Sequence, residues 1–321
     1  MTNTLTTYAA APLATLDSLA EQAHAYAEHS RSANTRRAYH SDWAHFAAWA
    51  ADRLLAALPA EPATLALYLT DCAATLAVAT LTRRLAAISQ AHQIAGYSSP
   101  AQHEHVRSVM KGIRRAKGTA QRQASAATTP VLKAMIVALP DSKSGLRDRA
   151  LLLVGFAGAL RRSELVSLDV ADVQLVSEGA IITVRRSKTD QEGAGREIGI
   201  PWGQSADTCP VRALSAWLQG ASITEGPLFR PINRHGAVQA ARLTGNAVAE
   251  VVKRAALAAG FDAAQFSGHS LRAGLATSAA AAGASELEIM AQTGHKSTRV
   301  LRGYIRRATL FQRNAAANVG L

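Results

Sequence analysis

Apolar residues recur at helical spacing through the first 117 residues. The clearest case is 32–52, where Tyr39, Trp43, Phe46 and Trp49 are three or four positions apart and so share one helix face. We expect this aromatic face to pack in a core and Thr35 to cap the helix. The same spacing predicts further helices over 16–29, 64–76, 80–94 and 102–117. No strand pattern occurs before about residue 125.

The rest of the chain mixes both patterns. Residues 118–129 are small and polar, which predicts a linker, and Pro130 opens a new helix. Residues 180–186 are rich in β-branched side chains and predict a strand that pairs with 196–200 across a turn at 189–195. Helices are predicted over 131–139, 147–156, from about 161, and over 209–218, 244–259, 270–282, 286–293 and 298–314. The pattern therefore predicts a mainly α protein with a small antiparallel β-sheet: a helical domain over 1–117, a linker over 118–129 and an α+β domain over 130–321.

The composition is compatible with two folded domains. It also shows that the chain is strongly positive. The chain has 321 residues, 48% of them hydrophobic and 18% charged, which excludes a disordered polyelectrolyte. Its net charge of +12 favours a polyanionic partner, nucleic acid first, with an anionic membrane or an acidic protein as alternatives. Two cysteines, Cys72 and Cys209, exclude a disulfide framework. The apolar run 150–160 is too short to span a bilayer and no signal peptide pattern precedes it, so we expect a cytoplasmic protein.

The positive charge is concentrated on the predicted helices of the first domain. Several basic clusters with few acids beside them indicate a surface that follows DNA phosphates. These candidate DNA-binding residues are Arg36, Arg37, Arg83, Arg84, Arg107, Lys111, Arg114, Arg115 and Lys117.

Five short motifs in the second domain have side chains suited to phosphate chemistry, although each is common by itself. Arg161 and Glu164 fall on one face of a helix start, and a guanidinium can bind two oxygens of one phosphate. His269 and Arg272 share a face in the same way. The other three motifs are Lys188 at the end of a predicted strand, the Gly-His pair that ends at His295, and Tyr304 in a basic amphipathic helix.

Taken in order, these residues resemble the tyrosine recombinase (phage integrase) family. The family pattern is Arg, Lys, His-x-x-Arg, then His or Trp, then Tyr. In this chain it reads Arg161, Lys188, His269, Arg272, His295 and Tyr304. The resemblance implies an all-helical core-binding domain and an α+β catalytic domain that form a C-shaped clamp around DNA.

The resemblance also implies a reaction, in which Tyr304 attacks a DNA phosphate, forms a 3′-phosphotyrosyl intermediate and leads to strand exchange through a Holliday junction. Arg161 and Arg272 would stabilise the added negative charge, and His269 would act as the base. Lys188 would protonate the leaving oxygen, His295 would hydrogen-bond the phosphate, and Glu164 would support Arg161. Neither ATP, metal nor any other cofactor is implied.

The implied partner is double-stranded DNA with an inverted-repeat site, bound by four protomers on two such sites, with a monomer in the free state. We expect the tail over 306–321 to dock into the catalytic domain of a neighbouring protomer. Two alternatives remain: relaxation of DNA like a type IB topoisomerase, and DNA binding without catalysis. A metal site at His103-Glu104-His105 is disfavoured because alternate helical residues diverge.

Overall fold

The structure is a computed structural model. It describes residues 15–16, 18–19, 21–22, 26, 31–120, 123–187, 190, 195–295 and 297–308. The chain divides into two compact units, Met1–Gln121 and Arg122–Leu321, and each is described by itself. The predicted helix over 16–29 lies largely outside the described residues, as does the tail after residue 308.

The described part of the first unit is helical, as predicted. Its helices are α1 (Ala33–Ala51), α2 (Pro62–Ala73), α3 (Val78–Ile94) and α4 (Glu104–Lys117). Phe46 and Trp49 of α1 are buried against Tyr68 of α2, with ring centroids 4.9 and 5.2 Å from the Tyr68 ring. The expected capping residue was wrong: the Ser32 hydroxyl caps α1 by accepting a hydrogen bond from the backbone N–H of Thr35.

The second unit combines helices with one small sheet, as predicted. Its helices are α5 (Thr129–Val137), α6 (Lys143–Ala157), α7 (Arg162–Ser167), α8 (Pro210–Gly220), α9 (Gly245–Ala258), α10 (Ser270–Ala281), α11 (Glu286–Thr293) and α12 (Thr298–Ala308). Its strands are β1 (Val173–Val176), β2 (Gly179–Val184) and β3 (Arg196–Pro201), antiparallel in that order. The predicted pairing of β2 with β3 is confirmed, with Ile182 opposite Ile198.

Strand β1 was missed by the sequence prediction. It has four residues at the sheet edge, and its two central side chains, Gln174 and Leu175, are both exposed. A strand this short, with no buried position between its ends, gives no alternating pattern to detect.

Helix α6 forms the centre of the second unit. Its residues from Ala150 to Val154 are almost fully buried, which agrees with the core helix predicted from the apolar run. Among the described residues, none of the helices has both the length and the apolar character needed to cross a bilayer.

A segment before α5 is bound to the start of helix α10 and to the turn that precedes it. The backbone N–H groups of Ser125 and Ala127 donate to the carbonyls of Gln265 and Ser270, at 2.7 and 2.9 Å. The chain approaches α10 most closely at Gly274, where a Cβ atom would lie 2.1 Å from the Ala127 carbonyl oxygen. Part of the stretch predicted as a linker is therefore fixed to the helix that carries Arg272.

Candidate active site

Tyr304 and His269 are brought together by the packing of α12 against the start of α10. The Tyr304 hydroxyl lies 2.7 Å from Nε2 of His269. His269 occupies the N-cap position of α10, and its backbone N–H donates to the Ser267 hydroxyl. The candidate nucleophile and the candidate base are therefore within hydrogen-bond distance in one protomer.

Arg272 lies one helical turn after His269 and is 1% exposed. Its NH1 donates to the carbonyl of Ala159 at 2.8 Å and to the carbonyl of Thr293. Its NH2 is buried, and among the described residues it has no hydrogen-bond partner. A buried guanidinium with a donor to spare suits an anionic ligand, because an unsatisfied buried donor is costly.

Arg161 is the N-cap residue of α7, and both its backbone and its side chain are bound to Glu164 in the first turn. The Arg161 backbone N–H donates to Oε2 of Glu164 at 3.0 Å, and its guanidinium NH1 lies 2.5 Å from Oε1. Glu164 is 1% exposed, so its buried negative charge needs cationic partners to offset the cost of desolvation. Arg161 precedes the helix with an extended backbone, so its contact with Glu164 arises from its N-cap position and not from a shared helix face.

His295 follows Gly294, which ends α11 with a φ of +64°. This left-handed backbone favours glycine and turns the chain towards the site. Nδ1 of His295 lies 2.7 Å from the Thr293 hydroxyl, and its ring centroid is 6.4 Å from that of Tyr304. The His269 ring is 6.3 Å from Tyr304 by the same measure, so both imidazoles lie beside the phenol.

The electrostatics of the site favour neutral imidazoles. Burial and the charges of Arg272 and Arg161 lower the pKa of His269 below its usual value of 6.5. Burial and the same arginines lower the pKa of His295 further, to about 4. Burial and Arg161 lower the pKa of Arg272 to about 10, which still leaves it charged at neutral pH. A neutral His269 can accept the Tyr304 proton through Nε2 while the arginines remain cationic.

Lys188 lies outside the described residues, so the structure does not place it against the others. Its described neighbours Ser187 and Asp190 pair through two backbone hydrogen bonds of 3.3 and 3.1 Å. Nearer the sheet, Arg185 is held by Asp172 at 2.6 Å and by Asp169 at 3.3 Å. The root of the hairpin that carries Lys188 is therefore tied to the segment after α7.

Arg196 was missed as a site residue. It opens β3, and its NH2 lies 3.5 Å from Oε2 of Glu164, while its NH1 donates to the Gln292 carbonyl at 3.1 Å. An arginine at a strand start is a common feature, and no short motif links it to Glu164. Only the three-dimensional fold brings these two residues together.

The candidate DNA-binding residues of the first unit lie on α1, α3 and α4, and most are exposed. Arg107, Lys111 and Arg114 help to line a groove of about 330 Å³. Arg83 binds both carboxylate oxygens of Asp42, at 2.7 and 3.0 Å, and remains partly exposed.

Arg84 differs from the rest of this set. Its side chain is 12% exposed, and NH1 donates to the Tyr68 hydroxyl at 2.8 Å and to Cys72 Sγ at 3.2 Å. Through these contacts Arg84 joins α2 to α3. We therefore do not propose Arg84 as a DNA contact.

The described residues contain no cluster of histidine, cysteine or carboxylate side chains that could hold a metal ion. His103 instead caps α4, where its Nδ1 accepts a hydrogen bond from the backbone N–H of His105 at 3.2 Å. The contacts of His103 therefore explain its position without a ligand.

Comparison with known proteins gives a consistent result over both units. The model of the phage integrase family matches residues 127–310, and that of the phage integrase N-terminal SAM-like domain matches residues 22–99. An integrase/recombinase xerD homolog of Selenomonas ruminantium is 43% identical over 296 residues, which cover 90% of this chain and 86% of that protein. The recombinase cre of Escherichia phage P1 is a more distant relative, 26% identical over 268 residues that cover 77% and 76% of the two chains.

The fold has solved counterparts as well. A crystal structure of a lambda integrase dimer bound to a COC′ core site matches with a TM-score of 0.60 and 18% identity, covering 91% of this chain and 77% of that one. At this level of identity the match shows a shared fold. It extends over both units of the chain.

Proposed function

Because this chain belongs to the phage integrase family and is a tyrosine site-specific DNA recombinase, we propose that it cuts and rejoins DNA strands through a covalent bond to Tyr304. The observation that carries this assignment is the 2.7 Å contact between the Tyr304 hydroxyl and His269, beside the spare donor of the buried Arg272. A phenol has a pKa near 10 and is a weak nucleophile at neutral pH, so it needs a base and cationic surroundings.

The proposed first step is an in-line displacement at a DNA phosphorus. The Tyr304 oxygen forms a bond to phosphorus as its proton passes to Nε2 of His269, and the bond from phosphorus to the 5′ oxygen breaks. The products are a 3′-phosphotyrosyl link and a free 5′-hydroxyl. The 5′-hydroxyl of a partner strand reverses the step, so one phosphodiester replaces another and no ATP is required.

The arginines would stabilise the negative charge of the transition state. The nonbridging oxygens gain negative charge in the transition state, and Arg161 and Arg272 approach this region from α7 and α10. Removing one such donor from an enzyme typically slows the reaction about 10²- to 10³-fold. Glu164 holds the guanidinium of Arg161, and His295 would contact the phosphate.

The leaving 5′ oxygen needs a proton, and we assign this step to Lys188. A lysine ammonium can donate a proton, and general acids typically contribute about 10²- to 10⁴-fold to rate. Two arginines and one lysine thereby supply positive charge within the chain itself. Activity in the presence of EDTA would test whether a divalent metal is dispensable.

The proposed substrate is double-stranded DNA with an inverted repeat. The exposed basic residues of α1, α3 and α4 would contact phosphates of a half-site. Exchange of the strands of two duplexes uses four nucleophiles, which requires four protomers if each contributes its own Tyr304. We propose a monomer in the free state and action in the cytoplasm, where its DNA lies.

The test begins with a half-site obtained by affinity selection from randomised duplexes. A duplex of that sequence with a nick near the cleavage position releases a short fragment and traps the covalent adduct. The wild-type chain should form an adduct that survives denaturation, and Tyr304→Phe should form none while it still binds. An adduct with Tyr304→Phe would refute the assignment. Binding without any wild-type adduct would favour the silent DNA-binding alternative.

A second assay separates recombination from relaxation. Two duplexes of different length that each carry the full inverted repeat should yield recombinant products and Holliday junctions. Relaxed supercoils without recombinant products would support the topoisomerase alternative.

A further inference from the structure

Arg196 connects three parts of the second unit at the edge of the site. It stands at the start of β3, its NH2 lies 3.5 Å from Glu164 of α7, and its NH1 donates to the Gln292 carbonyl in the last turn of α11. Glu164 simultaneously binds the backbone and the guanidinium of Arg161. One buried carboxylate is therefore shared by two arginines.

The guanidinium of Arg196 lies against the backbone of the turn that leads to His295. A Cβ atom on Gly294 would lie 3.0 Å from Cζ and from Nε of Arg196, so the guanidinium packs against the backbone of this turn. A cation at the last carbonyls of a helix is also favourable for the helix dipole. Gly294 is thus constrained both by its positive φ and by the arginine beneath it.

The ion pair between Arg196 and Glu164 is largely buried. Burial lowers its pKa, while Glu164 acts in the opposite direction. Its Nε and NH2 are buried and lack a hydrogen-bond partner among the described residues. The charge of Arg196 also acts on the site, since it is among the groups that lower the pKa of His295, together with Arg272, Arg161 and His269.

We propose that Arg196 is a positioning residue of the recombinase: by sharing Glu164 with Arg161 and holding the end of α11, it sets the separation between Arg161 and His295. This inference rests on the proposed function, because both residues are assigned to the same phosphate. Arg196 itself acts through Glu164 and through the Gly294 turn. Loss of Arg196 leaves Glu164 to interact with Arg161 alone, and it leaves the Gln292 carbonyl without this donor.

The main test measures single-turnover cleavage of the nicked half-site by full-length variants. Arg196→Gln should slow cleavage roughly 10- to 100-fold, because small displacements of positioned groups have effects of this size. Half-site affinity should stay within about twofold of wild type, the range expected for independent sites. Arg196→Lys should recover part of the rate, since it retains the charge but not the planar fork.

A double-mutant cycle tests whether Arg196 influences the cleavage rate through Glu164. In a Glu164→Gln background, Arg196→Gln should slow cleavage clearly less than it does in the wild-type background, because the route through the partner carboxylate is already gone and only the contact with the end of α11 remains to be lost. The same loss in both backgrounds would overturn the proposal that Arg196 acts through Glu164.

A matched control removes a comparable arginine elsewhere in the unit. Arg254 lies 2.5 Å from the buried carboxylate of Asp148, and Arg254→Gln should lower thermal stability while leaving the cleavage rate unchanged. If Arg196→Gln likewise lowers stability without slowing cleavage, Arg196 is only a structural ion pair and the proposal is wrong.

A measurement on the DNA-free protein separates this inference from the proposed function. Removing the charge of Arg196 should raise the pKa of His295, measured by NMR titration of the imidazole, whereas Arg254→Gln should leave it unchanged. An unchanged His295 titration in Arg196→Gln would overturn the placement of Arg196, whereas Arg196→Lys, which retains the charge, should titrate close to the wild type. Absence of a wild-type adduct would instead refute the proposed function alone.

Discussion

The hydroxyl of Tyr304 lies 2.7 Å from Nε2 of His269, although 35 positions separate the two residues in the chain. The contact depends on the pairing of α10 with α12, which sets a phenol against an imidazole that is neutral at physiological pH. This relationship makes the protonation state of His269 a control point for cleavage.

The cleavage rate should depend on pH through His269. Its pKa lies below 6.5, so the rate should be flat as the pH falls from 8 to about 6.5 and should decline at lower pH, where a protonated imidazole can no longer accept the Tyr304 proton. His269→Gln should slow cleavage about 10²- to 10⁴-fold and should abolish this acidic decline. Single-turnover adduct formation across this pH range is the measurement. A decline that persists in His269→Gln would show that another group controls it.

The role of Lys188 can be tested through the leaving group. Lys188→Ala should slow cleavage about 10²- to 10⁴-fold on an ordinary phosphodiester, because the 5′ oxygen leaves without a proton. A substrate with sulfur at the 5′ bridging position should restore most of the rate, since a thiolate is a good leaving group without protonation. Adduct formation on the two substrates gives the comparison. An equal defect on both would exclude the general-acid role.

Gly274 is expected to be intolerant of any side chain. A Cβ atom there would lie 2.1 Å from the Ala127 carbonyl oxygen, which is backbone and cannot move without displacing the segment. Gly274→Ala should therefore destabilise the second unit by about 1–3 kcal/mol, the usual range for overpacking.

Gly303 offers the matched control, because it lies in helix α12 and a Cβ atom there would meet no atom of the described residues within 4 Å. Gly303→Ala should be neutral or stabilising by up to about 1 kcal/mol through helix propensity. Thermal and urea unfolding of both variants gives the comparison. Equal stability of the two would contradict the close approach of Ala127 to α10.

The fold class could be predicted from the sequence because long amphipathic helices have a strong periodic signal. The four residues of β1 lack that signal. The assignment of Thr35 as the cap was also open to error, since Ser32 has a hydroxyl as well and the sequence does not show which of the two residues precedes the first helical turn.

The same distinction applies to the residues of the candidate site: some could be predicted from local spacing and others could not. His269 and Arg272 are three residues apart, so local helix geometry already puts them on one face. Arg196 and Glu164 are brought together by the packing of β3 beside α7, and no sequence interval predicts such a contact. Local spacing therefore identifies groups that share one element, while the supporting contacts between elements require the structure.

The attachment of Ser125 to Gln265 and of Ala127 to the start of α10 bears on how the two units cooperate on DNA. Composition predicts a flexible tether over 118–129, yet only 118–124 remains between the end of α4 and the first anchored residue. Such a segment spans at most roughly 25 Å when fully extended. A short tether gives the second unit a high effective concentration once the first has bound. The chain should consequently behave as a bidentate ligand, in which weakened phosphate contacts in one unit appear as faster dissociation of the whole protein.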